Sequence, residues 1–250
     1  MLLKFRKKDR LISKRVIRLG LPVILSNLSR TFMNLADMAM VGHLGVVALA
    51  AVGMGAMLVW TILSFGISLR TATQTVASRR LGQKRWKACG AAMHNGHLLA
   101  AAFGIPVALG GYYFADKFVP FFLSDPEVIK LCIDYTSVAF LSVFFSSIGF
   151  VFQGFFTGIE RTRIHMNVTV LANALNVYLN VGLIYGSEGI ESFLSGIGSG
   201  GWSWLGMFWG WASFPGMGVK GAALATLIAS IWMAIHYSLY LITPWIRKKF

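Results

Sequence analysis

The sequence predicts an all-α integral membrane protein with six transmembrane helices and both chain ends in the cytoplasm. Three observations carry this prediction: the composition is apolar, the apolar residues form long stretches, and the positive charges fall on alternate connections. Of the 250 residues, 56% are hydrophobic and only 13% are charged. A soluble domain of this size needs far more surface charge, whereas a bilayer accepts an apolar exterior.

Six stretches are long enough to cross the hydrocarbon core, which takes about 20 apolar residues per helix. The predicted spans are Val16–Val41, Val46–Leu69, Ala88–Phe114, Cys132–Gly158, Ile164–Tyr185 and Val219–Thr243. They divide the chain into a basic N-terminal arm at 1–15, a membrane domain at 16–243 and a tail at 244–250. Turn residues such as Ser124-Asp125-Pro126 mark the joints.

The orientation follows from the positive charges. The N-terminal arm with the adjoining Arg18, the second connection, the fourth connection and the tail together carry 19 of the 23 lysines and arginines. The opposite side carries only Lys117, Lys130 and Lys220. The positive-inside rule therefore places both termini in the cytoplasm, and an even number of spans agrees with this placement.

The connection at 187–218 is long and rich in glycine and tryptophan. Its tryptophans are Trp202, Trp204, Trp209 and Trp211. Because tryptophan favours the headgroup region, the sequence predicts a segment that lies at the outer face of the membrane. A re-entrant hairpin is the alternative.

Several other classes of function find no support in the sequence. The net charge of +14 comes in short clusters between apolar runs, so nucleic-acid binding is a poor interpretation. The chain has no Walker-type phosphate loop, no Gly-x-Ser-x-Gly elbow and no zinc helix motif. His94 and His97 form a His-x-x-His pair, but two ligands make a poor metal site, so helix packing is the better interpretation. We therefore predict neither an enzyme nor a protein with a resident cofactor.

Polar residues inside the first predicted span mark a candidate site. At 100° per residue, Asn27, Arg30, Asn34 and Asp37 fall within about 80° of one helix face. Such a stripe must face other protein or a water-filled cavity. Arg30 and Asp37 alternatively form a static pair, although seven residues separate them by about 10.5 Å along the axis, so a direct bond is strained and an indirect one stays open.

The fifth span carries a second polar stripe, formed by Asn173, Asn176 and Asn180. Their amides either line a polar cavity and coordinate a cation through the carbonyl oxygens, or form interhelical hydrogen bonds, which contribute only about 0.6 kcal/mol each in membranes. With no ATP-binding motif, a transporter of this sequence needs an ion gradient. Asp37 is the intramembrane carboxylate that can bind the driving ion.

An ordered set of motifs resembles the multidrug and toxic compound extrusion (MATE) family. They are Leu21-Pro22, Asn34-Leu35-Ala36-Asp37, Val41-Gly42-His43-Leu44-Gly45, Ala48-Leu49-Ala50-Ala51, Ala77-Ser78-Arg79-Arg80-Leu81-Gly82, Leu123-Ser124-Asp125-Pro126-Glu127-Val128, Gln153-Gly154-Phe155-Phe156-Thr157-Gly158-Ile159-Glu160-Arg161-Thr162-Arg163, Leu175-Asn176-Val177-Tyr178-Leu179-Asn180 and Met217-Gly218-Val219-Lys220-Gly221-Ala222-Ala223. Each motif alone is weak, but their ordered combination is specific and covers nearly the whole chain.

The resemblance implies an antiporter of the bacterial inner membrane that exports drugs or other organic cations and amphiphiles, driven by Na⁺ or H⁺. It gives Asp37 the role of the coupling acid and makes Asn176 and Asn180 its partners, with Na⁺ as a possible ligand of all three. Some members carry Asp at the position of Asn180, so the coupling ion stays open. Arg30 does not belong to the family pattern, and a fixed cation there competes with a bound ion.

Family members usually have twelve helices in two six-helix lobes, and this sequence matches the N-terminal lobe. It is either a truncated product or a half that pairs with a second six-helix chain. Two other functions stay open: a lipid-linked oligosaccharide flippase, which needs several cavity cations where the membrane domain offers chiefly Arg30, and a non-transporting remnant or membrane subunit. The expected partners are the bilayer, a small-molecule substrate and a second half, without nucleic acid.

Overall fold

The computed structural model of the protein describes residues 7–197, 207, 209–210 and 213–250. All the regular secondary structure of the described part is helical, which confirms the predicted all-α fold. The helices are α1 (Lys7–Gly42), α2 (Val46–Gly82), α3 (Trp86–Phe118), α4 (Pro126–Gly158), α5 (Thr162–Ile197), α6 (Gly218–Ile242) and α7 (Pro244–Lys249), with a 3-10 turn at Val119–Phe121.

Five of these helices, α2 to α6, are long and apolar enough to cross a membrane. The sequence predicted six spans. The remaining candidate, α1, has 36 residues and thus sufficient length, but it is not among the five. Its polar stripe lowers the mean hydropathy of the segment.

Several helices extend past the ends of the predicted spans. The second span was predicted to end at Leu69, but α2 continues to Gly82, so Arg70 lies on a helix and not in a connection. The fifth was predicted to end at Tyr185, but α5 continues to Ile197 after a break at Gly186, whose φ is 70°. Hydropathy marks the part of a helix that contacts hydrocarbon, and backbone hydrogen bonding continues beyond it.

The helix α4 forms the centre of the bundle. Of its apolar stretch, 72% is buried, against 28% to 50% in the other four span candidates. It packs against α2, α3 and α6, while α5 packs against α1 and α6. The helices α1 and α2 make few contacts with each other, so a space stays open between them.

Two glycines allow α4 to touch the backbone of α2. Gly154 and Gly158 are four residues apart and lie on one face of α4, an arrangement that lets membrane helices approach closely. A Cβ atom at Gly158 would lie 2.8 Å from the carbonyl oxygen of Gln74, and one at Gly154 would overlap the carbonyl oxygen of Arg70. The contact fixes the position of Arg70 relative to α4.

We expect Gly158→Ala to lower the free energy of unfolding by about 1–3 kcal/mol, because a backbone carbonyl cannot move aside for the added methyl group. Thermal unfolding in detergent, followed by circular dichroism, measures the change. Gly53→Ala on α2 is the matched control, since a Cβ atom there meets nothing within 4 Å. An equal loss in both variants would contradict the close α2–α4 contact.

Candidate functional site

A cavity of about 360 Å³ lies between α1, α2, α4, α5 and α6. Its polar lining residues are Arg30, Asn34, Asp37, Tyr135, Ser142, Ser146, Gln153, Thr169, Asn173, Asn176, Thr226 and Ser230. Apolar side chains, among them Trp60, Phe150 and Met233, complete the wall. Five of the six predicted site residues therefore line one cavity, and the sixth, Asn180, bonds to Asp37.

The carboxylate of Asp37 sits in a cluster of amides. Asn180 Nδ2 donates a hydrogen bond of 2.5 Å to Asp37 Oδ1 and one of 3.1 Å to Asn176 Oδ1. Asn176 Nδ2 in turn donates to Thr226 Oγ1 on α6 at 3.3 Å. Both amide hydrogens of Asn180 are thus used, while its own carbonyl oxygen Oδ1 is buried without a partner. The residue hydrogen-bonded to the Asp37 carboxylate therefore carries an unpartnered amide oxygen, and carboxylate and amide oxygens are the ligand type that hard cations prefer.

Further hydrogen bonds tie α1 to α5 along the cavity. Asn173 Nδ2 donates to Ser29 Oγ at 3.0 Å, and the Tyr185 hydroxyl donates to the carbonyl oxygen of Met40 at 2.6 Å. Together with the Asp37–Asn180 bond, they hold α1 on α5 although α1 barely touches α2.

Arg30 lies in the cavity but does not pair with Asp37. In the described part of the chain, the ion pair found is the one between Arg15 and Glu160. The interpretation of Arg30 and Asp37 as a directly bonded pair is therefore not supported by the geometry. Arg30 instead lies within electrostatic range of Arg70 and of Tyr237. The continuation of α2 past Leu69 brings Arg70 into this region.

A buried hydrogen-bond cluster that the sequence analysis missed lies beside Arg30. The ring nitrogen Nδ1 of His165 is 2.9 Å from the Tyr237 hydroxyl and 3.1 Å from Thr169 Oγ1. His165 and Tyr237 are at most 1% exposed. The signal was present in the sequence, because the asparagine stripe of α5 continues in steps of four residues from Asn173 back to Thr169 and His165. Tyr135 was missed as well, although it begins a polar stripe on α4 that continues through Ser142 and Ser146 and also lines the cavity.

Other predicted features lie outside the cavity. Asn27 is exposed and is not a lining residue, so the polar stripe begins at Arg30. The ring of His97 packs at 4.3 Å from that of Phe152. Among the described residues, no group of three His, Cys, Asp or Glu side chains could hold a metal ion.

The connection at 187–218 is described only in part. Trp209 stacks on Tyr178 with ring centroids 5.0 Å apart and donates to the Tyr178 carbonyl oxygen at 2.9 Å. It therefore packs against α5. Trp202, Trp204 and Trp211 lie outside the described residues.

A second cavity, of about 1500 Å³, opens at the end of the bundle where α1 begins. We call it the basic cleft because its charged residues are Lys14, Arg15, Arg18, Lys84, Glu160, Arg161, Arg163 and Lys249. Arg15 Nη2 contacts both carboxylate oxygens of Glu160, at 2.6 and 2.7 Å, which raises the pKa of the Arg15 guanidinium. The arm, the two basic connections and the tail thus meet at one end of the bundle.

A helical membrane bundle around a polar cavity with a carboxylate is the architecture of a membrane transporter lobe. The family model described as MatE matches residues 22–181, and the chain belongs to this family, the MATE transporters. The predicted resemblance is therefore confirmed.

The relatives and solved structures agree on the family and on the extent of the match. "Probable multidrug resistance protein NorM" of Rhizobium meliloti is 28% identical over 84% of this chain and 39% of its own. "DNA damage-inducible protein F" of Escherichia coli is 26% identical over 86% of this chain and 41% of its own. The chain thus spans less than half the length of these curated relatives.

Two solved structures share the fold, each at 23% identity over 92% of this chain and 45% of theirs. One, from Pyrococcus furiosus, is described as "Reverse polarity of binding pocket suggests different function of a MOP superfamily transporter", and it superposes with a TM-score of 0.75. The other, described as "Crystal structure of MATE in complex with MaL6", gives 0.77. The described helices therefore match one lobe of a MATE transporter.

We expect Tyr237→Phe to lower the free energy of unfolding by about 1 kcal/mol, because the variant removes one buried hydrogen bond to His165. Chemical or thermal unfolding in detergent measures this. Tyr113→Phe is the control, since the Tyr113 side chain is 67% exposed. A neutral Tyr237→Phe variant would show that the hydroxyl adds no net stability.

Proposed function

We propose that the chain is half of a cation-coupled antiporter, and not an enzyme, that exports organic cations or other amphiphiles across the bacterial inner membrane. The observation that carries this proposal is the Asp37 carboxylate within an amide cluster inside a mostly apolar cavity. A carboxylate in a membrane domain is costly and is retained where it binds an ion or a substrate.

The coupling ion binds at Asp37, with Asn176 and Asn180 as its neighbours. Sodium favours oxygen ligands, and the unpartnered Asn180 Oδ1 beside the carboxylate supports it. A proton needs only the carboxylate, which is then neutralised by protonation. In both cases the ion and a cationic substrate compete for the same negative charge, and this competition is the basis of exchange.

The size and lining of the cavity support a drug-like substrate. A volume of about 360 Å³ lies within the range of small-molecule sites. Trp60 and Phe150 offer flat apolar surfaces, and Met33, Met38 and Met233 adapt to different shapes. We therefore infer a broad specificity for amphiphiles.

We further propose that α1 is the sixth span and that both termini lie in the cytoplasm. The face of α1 opposite the cavity is apolar and exposed, as a surface in contact with lipid should be. Its exposed residues include Ile24, Leu28, Phe32 and Leu35. The cations that the positive-inside rule assigns to the cytoplasm gather in the basic cleft.

In this proposal, a second six-helix half completes the transporter. The chain covers 39% and 41% of two curated relatives, and alternating access requires two lobes that rock against each other. The second candidate function is a lipid-linked oligosaccharide flippase, favoured by the proximity of Arg70 to Arg30, since two cations grip a pyrophosphate better than one.

We expect Asp37→Asn to abolish gradient-dependent dye efflux, because the variant removes the charge that the ion and the substrate share. Dye accumulation in pump-deficient bacteria, under imposed sodium and pH gradients and at matched membrane expression, measures this. Asp116→Asn is the control, since Asp116 is exposed and lies outside both cavities. Efflux that persists in Asp37→Asn would contradict the coupling role. No efflux from the unmodified chain would contradict transport by this chain alone and favour a remnant or a membrane subunit.

The topology predicts the outcome of fusions to alkaline phosphatase, which is active only outside the cytoplasm. A fusion after Phe250 should be inactive, and a fusion after Ser124, between α3 and α4, should be active. The opposite pattern would reverse the orientation. Activity at both positions would contradict the odd number of spans, α4 to α6, predicted between Ser124 and Phe250.

A further inference from the structure

The cavity carries a positive pole as well as the Asp37 carboxylate. Arg30 lines the cavity two helical turns from Asp37, about 10.5 Å along the axis of α1. Within the described ranges no carboxylate forms an ion pair with Arg30. Arg30 does not line the basic cleft, so its guanidinium is not part of the group of surface charges there.

The neighbours of Arg30 add positive charge and do not neutralise the charge of its guanidinium. Arg70 on α2 lies within electrostatic range of Arg30, and both arginines lie within electrostatic range of His165. The His165 ring nitrogen Nδ1 is already engaged with Tyr237 and Thr169. A positive charge in a membrane domain is costly without a counterion, and none of these neighbours provides one.

An independent observation at this end of the cavity comes from Gln153. Its side chain lines the cavity and is 0% exposed, yet neither Oε1 nor Nε2 has a hydrogen-bond partner. The next residue, Gly154, abuts the backbone of Arg70, which places Gln153 at the arginine end. Buried amides are nearly always hydrogen-bonded, so this one lacks a partner that a ligand can supply.

We propose that Arg30 and Gln153 bind an anionic group of an amphiphilic ligand. A guanidinium offers two parallel N–H donors to a carboxylate or phosphate, and the Gln153 amide offers one more. The preferred substrates of the transporter are then amphiphiles that carry both charges, with the anion at Arg30 and the cation at Asp37. This deepens the proposed function, on which it rests for the statement that the ligand is transported.

The test is a binding experiment with the full chain, purified into phosphatidylcholine nanodiscs. The probes are a rhodamine with a free carboxylate and its methyl ester, which differ in a single negative charge. Fluorescence anisotropy gives both dissociation constants. We expect Arg30→Gln to weaken binding of the carboxylate dye by about tenfold or more, because a charge-assisted hydrogen bond is lost, and to change binding of the ester by less than about twofold.

Further variants separate charge from packing. Gln153→Leu should also weaken the carboxylate dye selectively, and Arg30→Lys should retain part of the affinity because it keeps the charge. Arg79→Gln is the control, since Arg79 is exposed on α2. Equal losses of both dyes in Arg30→Gln, or an unchanged affinity for the carboxylate dye, would overturn the proposal.

Thermal unfolding provides a second readout. Without ligand, Arg30→Gln should unfold at a higher temperature than the unmodified chain, because the variant removes an uncompensated charge. The carboxylate dye should stabilise the unmodified chain and not the variant. An Arg30→Gln protein that unfolds at a lower temperature without ligand would make Arg30 a packing residue and would overturn the proposal.

The anion is either the carboxylate of a soluble amphiphile or the phosphate of a lipid with a net negative charge, which phosphatidylcholine does not carry, and one further arm distinguishes the two. Nanodiscs that also contain phosphatidylglycerol should weaken binding of the carboxylate dye to the unmodified chain, but not to Arg30→Gln, if lipid phosphate occupies the same site. An unchanged affinity in those nanodiscs supports a soluble amphiphile as the ligand. Neither readout requires transport, so a chain that fails the efflux assay can still bind the anion, and the two failures are distinguishable.

Discussion

The backbone contact between α2 and α4 is the interaction on which the rest of the structure depends. Because Gly154 and Gly158 carry no side chains, α2 lies directly on the central helix. With α2 held there and α6 packed on another side of α4, α5 and α1 complete the ring at a distance from α2. The cavity is the space that remains between these five helices.

The membrane imposes a second constraint, since a polar side chain in hydrocarbon needs a partner or water. Asp37 meets this requirement through Asn180, and His165 meets it through Tyr237 and Thr169. Arg30 and Gln153 do not meet it with protein groups among the described residues. The contrast separates the Asp37 carboxylate, which has a protein partner, from Arg30 and Gln153, which have none among the described residues, and these two are where the structure leaves room for a ligand.

The sequence predicted much of this, because hydropathy and helical periodicity are local properties. The helical stretches, the stripes on α1 and α5 and the family could all be predicted without coordinates. The helix ends could not be predicted, because α2 continues past Leu69 into polar sequence. Only the fold shows that Arg70 lies within electrostatic range of Arg30. Gln153 and Tyr135 were also missed, although with Ser142 and Ser146 they follow one face of α4, because the apolar residues of that helix dominate its sequence pattern. Asn27 was assigned to the stripe by periodicity, but α1 passes beyond the cavity there.

The neighbouring residues Gln153 and Gly154 of α4 have different roles. The first faces the cavity, and the second holds the helix against α2. Under selection by a new toxic compound, replacements at 153 can alter what the lobe accepts while the bundle stays intact. A side chain at 154 would overlap the backbone of Arg70 and destabilise the bundle. During evolution, position 153 can therefore change while position 154 stays glycine. The range of compounds that the lobe binds can then change without loss of the fold.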